Sequence, residues 1–373
     1  MPLSKIVANS ITDDTITTDQ IADNSVHGRR NLVDNGAMLI KQRATSRSDI
    51  SGSGYYVHDR HRISMGNTAG RLRMSDSGVA PDGFANSLPL QCTTADTSIA
   101  ANEDFSLQHR FEGQNLQQLK KGTSGAEQVT VSFYMKTNKA FTFVCELDDT
   151  DNNRFNGQRF TTTTDWTRHV LTFVGDTTGT LDDDNARSLQ LSFWLHAGSN
   201  FTSGTYTANT WQSRQSTNVN RAVGIGSFFD STDNEIRLTG LQMEIGSQAT
   251  PFEHRSFGEE LARSQRYLYQ AEFTTGGTSI ANGAMYNSSE IFCHVSFPVT
   301  MRSPPTFSYS SVSNGFRAYS AGQSDDFTSW SGIQESGTTG NNIYKASLTT
   351  TANAAGWVQA RVSGTYIRFD AEL

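Results

Sequence analysis

Hydrophobic and polar side chains alternate in several short stretches of the chain. Apolar residues occupy every second position over 129–135, 141–147, 189–195, 236–245, 291–297 and 367–373. Because successive side chains of a strand point to opposite faces, this period of two indicates half-buried strands. The phase slips at Gly240, where we expect a β-bulge. Many short strands joined by polar turns predict an all-β protein built of jelly-roll sandwiches.

The first 30 residues carry a different pattern, with one β-branched apolar residue at every fifth position. A period of five fits neither a helix nor a strand. It fits short strand-and-turn units from three intertwined chains, each adding one side chain per layer of a shared core. We therefore predict a trimeric β-stem over 1–30, and the alternative is a solvated leader. The stem residues are Ile6, Ile11, Ile16, Ile21 and Val26.

One short helix is predicted over 256–270, between two strand-rich regions. Ser256 and Glu259 have the spacing of a capping box, in which each end residue satisfies a free backbone N–H group. A helix of this length needs a docking face to be stable. We expect that face to comprise Phe257, Leu261 and Leu268. The chain then divides into a stem (1–30), a jelly-roll sandwich (31–255), a linking helix (256–270) and a second β domain (271–373).

Composition agrees with several domains that have modest cores. The chain has 373 residues, of which 35% are hydrophobic and 10% aromatic, including 22 Phe. Rings therefore supply much of the area to be buried, while Gly, Ser, Thr, Asn and Asp suit turns. The three cysteines are too few and odd in number for a disulfide framework, so we predict buried thiols.

Charge and hydropathy exclude several classes of partner. The formal net charge is −7 without a cluster of Lys and Arg, which disfavours nucleic acid as a partner. No apolar stretch is long enough for a membrane span or a secretory signal, so we expect synthesis in a cytoplasm and no membrane insertion.

The sequence lacks the motifs of common catalytic and cofactor sites. It contains no phosphate loop and no H-E-x-x-H, C-x-x-C or G-x-S-x-G motif. We predict no enzyme activity, no cofactor and no metal, although a remote pair of carboxylates for glycan cleavage stays open. Two acidic clusters could supply oxygen ligands to a structural calcium ion, but polar hairpin turns are the favoured interpretation. They comprise Asp148, Asp149, Asp151 and Asn153, and Asp182, Asp183 and Asp184.

Three segments resemble the tail-fibre proteins of bacteriophages. The segment ANSITDDTITTDQIADNSV is similar to repeats near the start of those proteins. The segment GLQMEIGSQATPFEHRSFGEELARSQRYLY resembles their block in which a carbohydrate-binding-module-like sandwich leads into a helix. The family motif F-P-x-x-M-R-x-x-P-T of distal modules is matched from Phe297 to Thr306. The segment from Tyr55 to Ile63 is also similar, but His61 stands where the family often has Trp.

The resemblance implies a homotrimeric attachment protein of a phage tail. Its amino-terminal region would join other virion proteins, and its carboxy-terminal module would be the tip that contacts a glycan or protein of the host surface. Assembly in the host cytoplasm is then expected. Two other classes stay open: another virion structural protein, such as an adaptor or capsid decoration, and a glycan-degrading tailspike.

The tip offers candidate contact residues in a segment rich in Gly, Ser and Asp, from 313 to 342. Binding residues are often presented on loops by a rigid scaffold. Rings stack on the C–H faces of sugars, and charged groups bind their hydroxyls. The alternative is that these rings pack in a trimer interface. The candidates are Arg317, Tyr319, Asp325, Asp326 and Trp330, beside the aromatics Phe316 and Phe327.

Overall fold

The computed structural model describes residues 29–214, 219–273 and 276–373. Within these ranges the chain forms 23 strands and two short α-helices, which confirms the all-β class. No helix in these ranges has the length and apolar character needed to cross a membrane. The predicted stem residues Ile6, Ile11, Ile16, Ile21 and Val26 lie outside the described residues, and the trimeric stem stays a prediction.

Two antiparallel sheets form the central sandwich, with strands numbered along the chain. The first sheet has the order β1 (Ser46–Ile50), β4 (Arg71–Ser75), β5 (Leu88–Thr94), β13 (Glu235–Ile245), β7 (Val129–Thr137) and β10 (Thr167–Phe173). The second has the order β12 (Gln212–Ser213), β9 (Arg154–Thr161), β8 (Thr142–Asp149), β11 (Arg187–Ala197), β6 (Asp104–Glu112), β3 (Arg62–Gly66) and β2 (Gly54–Tyr55). Short helices complete it: α1 (Ser199–Thr202) and 3-10 turns at Gly113–Asn115, Gln117–Leu119 and Phe228–Asp230.

The predicted alternation places rings between these two sheets. Phe133 contacts Phe160 and Phe193 edge-to-face, with ring centroids 5.1 and 4.8 Å apart. Gly240 has a positive φ of 62°, and the register between β13 and β7 shifts beside it. The predicted bulge is therefore confirmed, since a left-handed residue of this kind suits glycine. All three cysteines are buried free thiols, as predicted.

The linking helix α2 runs from Phe257 to Gln265, so it is shorter than predicted. Ser256 Oγ accepts from the backbone N–H of Glu259 at 3.3 Å, which confirms the Ser256 half of the predicted capping box, while the Glu259 carboxylate pairs with Arg29. The predicted boundary at 270 is wrong, because Leu268 already pairs with Asp370 in the next strand.

The predicted apolar docking face of α2 is wrong at Phe257, while Leu261 is half-buried and Leu268 is buried in β14 rather than on the helix. Phe257 is 60% exposed, whereas Glu260 and Ser264 are buried. The carboxylate of Glu260 accepts from the backbone N–H of Asn35 at 2.6 Å and faces Arg255 at 3.4 Å. The helix therefore docks through a buried carboxylate rather than through a stripe of apolar side chains.

A second sandwich follows the helix. Its smaller sheet has the order β14 (Leu268–Phe273), β23 (Thr365–Asp370) and β17 (Thr306–Tyr309). Its seven-stranded sheet has the order β19 (Gln323–Phe327), β18 (Phe316–Ser320), β22 (Ala355–Ala360), β15 (Thr278–Met285), β16 (Ile291–Ser296), β21 (Gly340–Lys345) and β20 (Gly332–Ser336). A separate hydrophobic core fills the space between them.

Buried ion pairs join the two sandwiches. Arg60 is 1% exposed, donates to Glu372 at 2.6 Å and lies over the ring of Tyr267 at 3.3 Å. Arg43 donates to Asp370 at 2.9 Å. Because such groups are costly to bury unpaired, these contacts fix the orientation of the C-terminal sandwich against the central one.

Acid should destabilise the fold through buried histidines, of which His61 is the clearest. Burial lowers the pKa of His61 to about 3, although its Nε2 lies 3.1 Å from the backbone oxygen of Asn35. The unfolded chain takes up this proton near pH 6.5, so the stabilising contribution of the neutral ring is present above 6.5 and lost as the pH falls towards 3.

We expect the His61→Gln variant to lose less stability on acidification than the wild type. Between pH 5.5 and 4 the free energy of unfolding of the variant should fall less steeply than that of the wild type. The two slopes should differ by about 1.4 kcal/mol per pH unit. Urea unfolding at a series of pH values measures both slopes. Parallel slopes for the two proteins would contradict the burial of a neutral ring.

Candidate functional site

The structure brings three of the five predicted contact residues together on the outer face of the seven-stranded sheet of the C-terminal sandwich. Arg317 and Tyr319 lie on β18, and Asp326 lies opposite Arg317 on β19. Arg317 Nη2 donates to Asp326 Oδ2 at 2.9 Å, and its guanidinium lies 5.9 Å from the Tyr319 ring centroid. These residues therefore form one surface cluster.

Two predicted contact residues lie elsewhere. Trp330 is 3% exposed and meets Phe327 edge-to-face at 5.3 Å in the core, so its prediction as a receptor contact is wrong. Phe316 and Phe327 are buried with it. Asp325 alternates with Asp326 along β19, so it points to the other face of the sheet, where its carboxylate accepts from the backbone N–H of Thr349 at 2.9 Å.

An exposed aromatic pair stands beside the cluster. Trp357 on β22 is the direct cross-strand neighbour of Tyr319 and is 43% exposed. The two rings are offset-stacked, with centroids 4.9 Å apart and planes 14° from parallel. Gln359 Nε2 donates to the Tyr319 hydroxyl at 2.9 Å and holds that ring in place. One face of the indole is covered by Tyr319.

A second aromatic pair lies on the other side of β15. Phe292 on β16 faces Tyr344 on β21, with centroids 5.5 Å apart and planes 14° from parallel. Tyr286 is 73% exposed and meets Phe292 edge-to-face at 5.6 Å. The outer face of one sheet therefore carries two stacked aromatic pairs. Large apolar side chains are usually buried, so such an exposed group is unusual.

Small side chains separate the two pairs. Asn282, on β15, pairs with Trp357, and Ala284 pairs with Phe292; both are exposed. Strands β22 and β16 flank β15, so the two aromatic walls stand about 9–10 Å apart across the strands. They are also offset by two residues along β15, because Trp357 pairs with Asn282 and Phe292 with Ala284. We call this surface the aromatic trough: walls of Trp357 with Tyr319 and Phe292 with Tyr344, over a floor of Asn282 and Ala284.

One rim of the trough is charged. Asp326 accepts from Arg317 and also from Arg361, whose side chain is 41% exposed. Hydrogen bonds from Arg317, outweighing the effect of partial burial, lower the pKa of Asp326. This carboxylate is therefore ionised at neutral pH, and the arginines keep N–H groups free for a further acceptor.

The opposite rim is a chain of hydrogen bonds. His294 Nδ1 lies 2.8 Å from Asn342 Oδ1, and Asn342 Nδ2 donates to Glu335 Oε2 at 2.6 Å. His294 and Glu335 are exposed at the ends of this chain. The trough thus combines ring faces with donors and acceptors on both rims.

The corresponding outer face of the central sandwich is partly covered by its own chain. Arg221 donates to Glu146 at 2.7 Å and contacts Asp148 at 3.1 Å. The adjacent Ala222 packs against Trp194, which is 5% exposed. This half of the face is therefore filled, and its aromatic ring is not available to a ligand.

Acidic residues of the clusters considered for calcium form ion pairs with basic side chains. Asp148 contacts Arg221, and Asp149 contacts Lys121 at 2.5 Å. Asp151 accepts from the backbone N–H of Asp182 at 3.0 Å, which ties the two turns together. These contacts agree with turns held by ion pairs, and the metal-free assignment stays a prediction.

Sequence reasoning missed one buried group of metal-ligand types. Asp96, Glu103 and His196 bring their ligand atoms within 4.8 Å of one another. The Asp96 carboxylate accepts from Thr68 Oγ1 and the backbone N–H of Ala69, both at 2.7 Å. Glu103 lies 3.1 Å from His196 Nε2. These polar atoms satisfy one another and the loops around them.

The trough residues other than Tyr319 were also missed, although the sequence contains their signal. The alternation that predicts Ile291, Cys293 and Val295 on the inner face places Phe292 on the outer face. The same reasoning applies to Trp357, which precedes the buried Val358. Aromatic residues at the polar phase of a strand therefore mark the surface better than aromatics in glycine-rich segments.

Known structures with a similar fold are carbohydrate-binding modules. No protein-family model matches the chain, and no curated protein matches it significantly. A CBM4 module is 11% identical, covering 57% of this chain and 99% of its own at a TM-score of 0.30. TmCBM61, solved with β-1,4-galactotriose, is 11% identical, covering 58% and 100% at 0.28.

A phage tailspike is also among the similar structures. The enzymatically active domain of bacteriophage CBA120 tailspike protein 4 is 9% identical, with a TM-score of 0.28. The match covers 58% of this chain but 21% of the tailspike chain. These are resemblances of fold, and the surface of this chain is defined by its own residues.

Proposed function

We propose that the C-terminal sandwich binds a glycan of a bacterial surface in the aromatic trough, without cleaving it. The observation that carries this proposal is the exposed stack of Trp357 on Tyr319, with a second stack diagonally across a floor of small side chains. A sugar ring presents C–H groups on its faces and hydroxyls at its edge. A trough of ring walls and polar rims matches both.

The dimensions of the trough suit an extended saccharide. The walls are two strand spacings apart, about 9–10 Å between backbones. Because Trp357 and Phe292 are offset by two residues along β15, this leaves room for a sugar ring that lies diagonally between the indole and the phenyl ring. Asn282 on the floor and Asn342 on the rim offer amide groups to its hydroxyls.

The charges on the rim argue for binding rather than hydrolysis. Glycoside cleavage needs one carboxylic acid with a raised pKa beside a carboxylate. Asp326 has a lowered pKa and is held by two arginines, so it is a poor proton donor. The proposal therefore includes the absence of enzyme activity at this surface.

The setting of a phage tail rests on the resemblance of the sequence to tail-fibre proteins. An open trough should bind one glycan weakly, about millimolar, or ~4 kcal/mol. A trimer with three sites, present in several copies on one particle, raises avidity by orders of magnitude without new contacts. An attachment protein would therefore work with a shallow site of this kind.

An array of bacterial capsular and O-antigen polysaccharides tests this function. We expect the purified full chain to bind a defined polysaccharide, to bind cells that display it, and to slow adsorption of a phage that uses it. No reducing sugar should be released from the bound polymer. Binding to neither polysaccharides nor cells would overturn the proposal, and sugar release would favour the tailspike alternative.

A further inference from the structure

A cluster of arginines lies on the part of the central sandwich that its own chain leaves open. Arg62 on β3, Arg110 on β6 and Arg187 on β11 share the outer face of the second sheet. Gln108 Oε1 accepts from Arg62 at 3.1 Å and from Arg110 at 3.3 Å. We call these three residues the arginine cluster.

A second glutamine continues the arrangement. Gln190 Oε1 accepts from Arg110 Nε at 3.0 Å and from Arg187 Nη1 at 3.4 Å. Both glutamines are buried, and their amide groups are fixed by Ser106 and Ser192. Neutral amide oxygens therefore satisfy hydrogen bonds of three guanidinium groups without neutralising their charge.

No carboxylate side chain of the described residues lies within 4 Å of these three arginines. The ion pairs on this face involve Arg214 and Arg221 with Glu146 and Asp148, at the covered end. The backbone oxygen of Leu373 accepts from Arg110 at 2.6 Å and from the Tyr55 hydroxyl at 3.1 Å. Even if this oxygen carried a full negative charge, two of the three arginines would remain without a carboxylate within 4 Å, and Asp104 attracts Arg62 only from a longer distance.

Burial makes this surplus of charge unfavourable in the free protein. Burial is the main reason why the pKa of Arg110 falls to about 10, and Arg62, Arg187 and Arg60 lower it further. Burial also lowers the pKa of Arg62. Arg110 and Arg62 remain charged at neutral pH, so the cluster keeps like charges close together in a partly buried environment.

We propose that the arginine cluster binds an oxyanion group, a carboxylate or phosphate carried by an acidic saccharide. Guanidinium groups hold both kinds of oxyanion through paired N–H groups, and a site with surplus charge gains most from such a ligand. The three side chains are half-buried, so solvent reaches them. The site lies on the central sandwich and does not depend on the aromatic trough.

Two probes test this site on the full chain: trigalacturonic acid, which carries carboxylates, and inorganic phosphate, which represents phosphate groups. Calorimetric titrations at constant ionic strength compare the wild type with Arg62→Gln/Arg187→Gln. The matched control is Arg47→Gln/Arg73→Gln, which removes two exposed arginines from the first sheet. We expect the cluster variant to lose at least tenfold in affinity, whereas the control binds like the wild type.

Stability separates a binding role from a structural one. In chloride buffer the cluster variant should melt no lower than the control, because mutual repulsion is relieved. If the double variant does not fold, Arg187→Gln alone should show a smaller loss of affinity. Binding of trigalacturonate alone indicates saccharide carboxylates, and binding of phosphate alone indicates phosphate groups; either supports the site.

Two results would overturn the inference. One is equal affinity of the cluster variant and its control for both probes, and the other is the absence of binding by the wild type. The Trp357→Ala variant should keep its affinity for these probes. Failure of this site and failure of the trough are therefore distinguishable.

Discussion

Replacing Trp357 with alanine is expected to remove most of the glycan affinity of the chain. The indole of Trp357 forms an exposed wall of the trough, and one of its faces is already covered by Tyr319. Central aromatic residues of binding sites commonly contribute about 2 kcal/mol or more, which corresponds to about a thirtyfold loss of affinity per site. Cell binding by a multivalent assembly should fall further still.

Matched controls show whether this loss is local. Trp166→Ala removes a half-buried tryptophan on the central sandwich, beside β10, and should leave glycan affinity unchanged. Trp357→Phe keeps a ring and should retain part of the affinity. Surface plasmon resonance with immobilised polysaccharide measures all three variants. Equal losses for Trp166→Ala and Trp357→Ala would contradict a binding role for the trough.

The second large effect is expected from Arg221→Met. Glu146 is fully buried on β8, and Arg221 binds its carboxylate through two nitrogens while also contacting Asp148. Removal of Arg221 leaves the buried carboxylate of Glu146 without its cation, whereas Asp148 keeps its ion pair with Arg214. Broken buried ion pairs of this kind cost about 3–5 kcal/mol.

The loss should depend on pH in a defined direction. Burial raises the pKa of Glu146 even with Arg221 present, and removal of the cation should raise it further. A carboxyl group with a raised pKa in the folded state favours folding at low pH, and this contribution is lost as the pH rises. The variant should therefore be less destabilised near pH 5 than near pH 8.

Urea unfolding followed by tryptophan fluorescence measures this prediction. Glu146→Gln combined with Arg221→Met should recover much of the stability, because the buried charge is gone. Lys139→Met removes an exposed ion pair with Asp230 and should cost about 1 kcal/mol or less. If Arg221→Met lowers the free energy of unfolding by less than Lys139→Met does, Arg221 does not hold its own segment on the second sheet.

Period-two patterns predicted the strands because half-buried strands impose alternation on the sequence. Positions such as Phe133, Leu191 and Met243 followed directly from that rule, as did the bulge at Gly240. The helix was harder, since its buried positions are Glu260 and Ser264. The carboxylate of Glu260 accepts from the backbone N–H of Asn35, which is 225 residues away in the sequence, so a local hydrophobic pattern could not predict its burial.

The candidate site was predicted only in part for a related reason. Composition indicated the segment from 313 to 342, which supplies Arg317, Tyr319 and Asp326. Trp330 in the same segment is a core residue, because the loop between β19 and β20 packs its ring edge-to-face against Phe316 and Phe327. The other half of the trough comes from Phe292 and Trp357, and only the order of strands in the sheet brings them to the same surface.

The most direct measurement of the trough is fluorine NMR of the full chain with its five tryptophans labelled as 5-fluorotryptophan. Single Trp→Phe variants assign the resonances. The titrant is an oligosaccharide fragment of the polysaccharide that the chain binds. It should shift the Trp357 resonance in a saturable way, while the resonances of the buried Trp194 and Trp330 stay in place. Saturable binding that leaves Trp357 unshifted, or that moves Trp194 instead, would contradict the account and place the glycan elsewhere.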